Sequence, residues 1–185
     1  MNDPKEIYLS VDVETSGPNP GNYAMLSIGA CMVAEPGKSF YIELRPDTDD
    51  FLPESLAINK LSLKNLRETG IFPKDAMLEF SRWVTGVVPE GSVPVFTAFN
   101  ASFDWMFVND YFHRYLGYNP FGHKALDIKA FYMGLRKINW LETSYNTVIK
   151  NTGQETALSH HALEDAIQQA KIFKILLDEL RGNRL

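Results

Sequence analysis

The feature that most constrains this chain is a pair of carboxylates set into an apolar strand pattern. In Ile7-Tyr8-Leu9-Ser10-Val11-Asp12-Val13-Glu14 the odd positions are all aliphatic and the even ones polar or amphipathic. Side chains two apart in a strand share a face, so Asp12 and Glu14 project together. Neighbouring carboxylates repel, and burying either one uncompensated costs several kcal/mol. The segment has no basic residue nearer than Lys5, which favours a divalent cation held by oxygen ligands over an ion pair. The competing reading is an edge strand whose polar face meets water. Two further acidic positions, each beside a helix start and able to close a cage around the same point, shift the balance towards the cation.

Taken in order, a turn-rich stretch from Ser16 to Asn22 follows the first strand, then a second strand over about Ala24–Ala34. Glu35-Pro36-Gly37-Lys38 reads as a hairpin turn, and Ser39–Leu44 as the third strand. Pro53-Glu54-Ser55 suits the entry to a short helix. Another opens at Pro73, with Ala76, Phe80, Trp83 and Val84 at helical spacing. Val93–Phe99 is a short, apolar, buried strand. It leads into a helix with the stripe Phe103, Met106, Phe107, Tyr111 and Tyr115, for which Asn100 or Ser102 is the expected N-cap. Asp104 falls in that helix's first turn, where the dipole favours a carboxylate. Ala125–Ile128 reads as a strand end before a helix over Lys129–Leu135, and Trp140–Lys150 as helix. Gln154–Ser159 reads as a polar loop, and a long helix begins at His160 and runs to about Arg181. His160 and Asp165 would diverge by about 140° on one continuous helix. They converge only if His160 precedes the helix, as Ser159 in front of it suggests.

The 185 residues suit one domain, 1–185, long enough to bury a core. The net charge of −5 argues against a broad basic surface gripping long duplex, but not against a short or single-stranded end bound through metals. Met1–Glu6 has no apolar leader, no run is long enough to span a bilayer, and the one cysteine, Cys31, permits no internal disulfide. A soluble, cytoplasmic protein is expected, with no membrane contact.

Together, Asp12-x-Glu14, Asn100-x-x-Phe103-Asp104 and His160-x-x-x-x-Asp165 resemble, in order and placement, the three motifs of the DnaQ-like 3′–5′ exonucleases, in their histidine-containing (DEDDh) branch. The resemblance covers about residues 7–180. It implies an α/β, ribonuclease H-like fold, with a mixed central sheet, its first three strands antiparallel, and helices on both faces. It also implies that Asp12, Glu14, Asp104 and Asp165 hold two divalent cations, Mg2+ or Mn2+, and that His160, not His161, is the general base. That donor set suits phosphodiester hydrolysis: two cations about 3.5–4 Å apart activate the attacking water and steady the leaving oxygen, and an imidazole accepts the water's proton.

The expected substrates are single-stranded 3′ ends of DNA or RNA, with release of nucleoside 5′-monophosphates. Thr15, Ser16, Met25, Phe99, Asn100 and Phe103, with Tyr23 and Trp105 nearby, are the candidate substrate contacts. Many relatives place a His where this chain has Phe99. Lys124, Lys129, Arg136 and Lys137, or His113 and Arg114, are basic enough to track the strand. Relatives act as proofreaders, RNA-maturation enzymes or oligoribonucleotide degraders, so a stand-alone enzyme, a homodimer and a polymerase-associated subunit are all open. The alternatives are a non-catalytic nucleic-acid-binding or scaffolding module on the same fold, and a metal-dependent phosphatase or endonuclease.

Overall fold

The computed structural model describes residues 5–154 and 158–182. Residues 155–157 of the expected polar loop, and the first four residues of the chain, lie outside that range. Five strands, β1 (Glu6–Thr15), β2 (Met25–Met32), β3 (Glu35–Glu43), β4 (Val93–Ala98) and β5 (Ala125–Asp127), form one sheet in the order β3-β2-β1-β4-β5. β1, β2 and β3 pair antiparallel, while β4 and β5 join parallel on the other side of β1. Among the described residues the α-helices are α1 (Pro53–Asn59), α2 (Leu63–Thr69), α3 (Pro73–Val87), α4 (Ala101–Leu116), α5 (Ile128–Arg136), α6 (Tyr145–Asn151) and α7 (Ala162–Leu180).

The alternation along β1 divides the molecule. Its odd residues Leu9, Val11 and Val13 pack with Phe80 of α3 and Phe107, Tyr111 and Phe112 of α4. Tyr8, on the even face, meets Phe173 of α7 edge-on at 5.3 Å, beside a second cluster containing Tyr132, Val148 and Leu176. Asp12 and Glu14 therefore belong to the α7 face. Asp12 pairs with Gly29, and Gly29 with Tyr41. A Cβ at Gly29 would lie 2.1 Å from the carbonyl carbon of Ala162. Glycine thus lets the first turn of α7 rest on the sheet beside Asp12. The buried Ala162, Ala166 and Ala170 continue that close approach along the helix.

Three local expectations differ. The β2–β3 turn is Val33-Ala34, not residues 35–38; Cys31 pairs with Ser39 and Met32 with Glu35, leaving Pro36, Gly37 and Lys38 as a bulge on an edge strand. Helix α2 was not foreseen; the Ser62 hydroxyl caps it by accepting from the Asn65 N–H. The segment after residue 139 is a 3-10 turn, Trp140–Glu142, and then α6, because Ser144 caps a new helix. Asn100 occupies the N-cap position of α4 with left-handed backbone (φ 66°), but its side chain makes no capping bond.

Candidate active site

Each acidic side chain is fixed by the way its element ends. The β1–β4 pairing stops at Ser10–Thr97, so the β1 edge beyond it needs other partners. The Val13 N–H donates to Asp104 Oδ1 at 3.1 Å, a carboxylate completing what the ladder leaves open. At α7, His160 sits before the helix with φ 58°. Asp165, in the first turn, turns back on that approach: its Oδ1 accepts from the Ser159 N–H (2.8 Å) and hydroxyl (3.1 Å), and its Oδ2 from the His160 N–H (2.9 Å). His160 and Asp165 thus converge from loop and helix.

Asp12, Glu14, Asp104, His160 and Asp165 line one cleft of about 160 Å³, together with Phe99, Asn100, Phe103 and Leu158. One donor atom each from Glu14, His160 and Asp165 lie within 4.8 Å of one another. A larger cavity of about 420 Å³ lies around Tyr8, Val33 and Leu177, at the opposite end of β1, away from the carboxylates.

The electrostatics follow from crowding. Burial, then the charges of Asp104, Glu14 and Asp165, hold the Asp12 carboxyl well above the usual range, against the hydrogen bond from Gln169. Burial and Asp165 push Glu14 up to about 7. Burial raises Asp104 too, opposed by the Val13 N–H. Among the described residues, no Lys or Arg lines the cleft. Hard oxygen donors that resist losing their protons, with no ammonium or guanidinium to pair them, fit divalent cations.

Three expected substrate contacts do not reach the cleft. A bulge between Glu14 and Thr15 breaks the β1 alternation. The Thr15 hydroxyl then donates to the Gly17 carbonyl (2.8 Å). The Ser16 hydroxyl is fully buried, donating to the Asp50 carbonyl (2.8 Å) and accepting from the Ala24 N–H (2.9 Å). Met25 is fully buried in the core, its N–H donating to the Tyr111 hydroxyl (2.8 Å). These residues anchor the loop after β1. Trp105 packs edge-on against Phe96 at 5.2 Å. His161 stacks on Tyr41 at 4.5 Å, outside the cleft lining.

Gln169 was missed, as was Leu158 of the expected polar loop, which lines the cleft. Gln169, one helical turn beyond Asp165 and 2% exposed, donates from Nε2 to Asp12 Oδ1 (2.6 Å) and accepts at Oε1 from the Phe99 N–H (2.8 Å). It joins the carboxylate on β1 to the end of β4. Its only sequence signal is a polar residue in line with the buried α7 stripe.

The description "3′-5′ exoribonuclease Rv2179c-like domain" matches this chain over residues 7–177. The chain belongs to this family. The 3′-5′ DNA exonuclease Cap18 of Escherichia coli is 50% identical to this chain over 180 residues, 97% of this chain and 96% of its own. The nuclease domain of 3′hExo, a DEDDh family member solved with rAMP, aligns with a TM-score of 0.77 at 14% identity, over 100% of this chain and 97% of that one. Exonuclease I aligns with a TM-score of 0.72 at 21% identity; this chain covers 44% of its length. These structures share the ribonuclease H-like fold, with its three antiparallel strands beside the parallel pair. The DEDDh resemblance of the motifs and the fold expected from it both hold, and the family is one of 3′–5′ exonucleases. Among the described residues, no helix is long and apolar enough to cross a membrane.

Proposed function

We propose that this chain removes nucleotides one at a time from the 3′ end of single-stranded DNA, releasing nucleoside 5′-monophosphates with two Mg2+ or Mn2+ ions. The observation that carries this reading is the meeting of Asp12, Glu14, Asp104 and Asp165 with His160 in one cleft that, among the described residues, no Lys or Arg lines. DNA comes first because the 50%-identical relative is named a DNA exonuclease. RNA is the second reading, favoured by the family's description as exoribonuclease.

When bound, the cations lower the pKa of water and offset charge on the phosphate and the departing oxygen. The four carboxylates hold them. Asp104 keeps Oδ2 for this after Oδ1 takes the Val13 N–H, and Asp12 keeps Oδ2 after Oδ1 takes the Gln169 amide. His160, with a ring nitrogen close to Glu14 and Asp165, accepts the proton of the attacking water. The water oxygen bonds to phosphorus, the bond from phosphorus to the 3′-oxygen breaks, and that oxygen takes a proton from solvent. The phosphate stays on the 5′-oxygen of the released nucleotide. Phe99 and Phe103 line the place for the terminal nucleotide, and Asn100 offers it an amide.

A side-by-side digest tests this, using single- and double-stranded DNA, single-stranded RNA and dinucleotides, each with a free or capped 3′ end. Release of mononucleotides from free ends alone supports exonuclease action, and the faster polymer identifies the substrate. Cleavage of capped strands, or no release from any of them, contradicts it.

A further inference from the structure

We propose that Lys129 and Trp140 form a platform for the single strand upstream of the two nucleotides that flank the scissile bond, Lys129 meeting a phosphate and Trp140 a base. The inference rests on the exonuclease reading of the cleft and adds the path by which the strand leaves it. The Phe99 ring, part of the cleft wall, lies 6.0 Å from the Lys129 ammonium, and the same ammonium stands 4.4 Å from the centre of the Trp140 ring. Cleft and platform therefore share the Phe99 ring.

The Lys129–Trp140 contact is a cation–π pair, but neither ion pairing nor burial holds these two side chains here. Lys129 is in the first turn of α5, the helix end at which the dipole disfavours a cation. Among the described residues it has no carboxylate in ion-pair contact. Trp140 is 47% exposed and Leu141 91%, although burial of such side chains is favourable by a few kcal/mol. The turn that carries them is held firmly. Asn139 and Glu142 form a reciprocal cap, and the Thr143 hydroxyl donates to the Trp140 carbonyl at 2.7 Å. A fixed turn thus presents an indole, in cation–π contact with an ammonium that has no carboxylate partner among the described residues, close to the wall of a cleft for a polyanion. Aromatic faces stack bases without regard to sequence.

Two of the other basic candidates are engaged in ion pairs. Arg136 is paired with Glu179, and Arg114 with Asp47 and Asp110. A polyanion is also a better occupant than a second copy of this chain, whose net charge is −5.

The test is steady-state digestion of a ten-nucleotide DNA strand and of a dinucleotide by wild type, Lys129→Ala, Trp140→Ala and Trp140→Phe. The dinucleotide is too short to reach the platform. Both alanine variants should raise KM for the longer strand about tenfold, as loss of one stacked base or phosphate contact implies. They should leave kcat and the dinucleotide kinetics unchanged, and Trp140→Phe should retain most of the affinity. Lys129→Ala should also flatten the salt dependence of KM. Unchanged KM for the longer strand, an equal loss on both substrates, or an altered oligomeric state of Trp140→Ala with unaltered KM would overturn the platform alone. A wild type that releases nothing from any strand would overturn the exonuclease reading beneath it.

Discussion

Gln169 ties the Asp12 carboxylate, one of the four proposed to hold the cations, to the backbone at the end of β4, through bonds of 2.6 and 2.8 Å. Residues that orient a ligating carboxylate typically change metal affinity by about 10–100-fold when replaced. Gln169→Leu should therefore weaken Mn2+ binding by about that factor in calorimetry while the fold persists. Unaltered Mn2+ affinity would show that the Asp12 orientation needs no such support. Glu14 leads to a pH prediction. Its carboxyl rises from an ordinary value of 4.5 to about 7 in the folded chain, so the folded state holds that proton more tightly than the unfolded one. The contribution to stability, about 3 kcal/mol by linkage, is complete below pH 4.5 and is lost as pH rises through 7. Without divalent cations the protein should melt lower at pH 8 than at pH 6. Glu14→Gln should reduce that difference, and Mg2+ should stabilise wild type more at the higher pH. Thermal melts with EDTA or Mg2+ check all three.

At the level of elements, the closeness of α7 to the sheet decides whether the site assembles. Gly29→Ala would place a methyl group into the Ala162–Leu163 backbone, which has no flexible side-chain end to yield. The variant should lose several kcal/mol of stability or shift the start of α7, and in either case lose most activity; a melt and an activity assay that both match wild type would contradict the contact. The elements that carry the site were also the most legible in the sequence. β1 has clean period-two alternation, while α4 and α7 have long apolar stripes. Helix α2 buries only Leu63 and Leu66, too little periodicity to register beside its polar surroundings. Pro36 and Gly37 signalled a turn and instead formed a bulge, because an unpaired edge tolerates both. The continuous helix expected from Trp140 failed at Thr143-Ser144, where side-chain hydroxyls compete for the backbone.

At the scale of the whole molecule, a net-acidic chain gathers four carboxylates from β1, α4 and α7 around one imidazole. Those five positions stood out in the sequence through the three motifs of the resemblance, each carried at a spacing its element allows: two along a strand, the first turn of a helix, and five across a loop-to-helix junction. Gln169 was not visible, since a glutamine on a helix looks like any solvated polar residue until the helix is docked. Thr15, Ser16 and Met25 stand close to Glu14 in sequence, but the bulge after it turns them into the loop and core. The central claim is that His160 takes a proton from water while the carboxylates hold the metals. Its most direct measurement is release of the 3′-terminal nucleotide from a 3′-labelled strand in Mn2+, by wild type and by His160→Ala, with Mn2+ binding followed in parallel. We expect the label to leave wild type as a nucleoside 5′-monophosphate, and His160→Ala to bind Mn2+ normally while releasing it about 10²–10⁴-fold more slowly. Release at the wild-type rate from His160→Ala, or a label that leaves within longer fragments, would contradict the account.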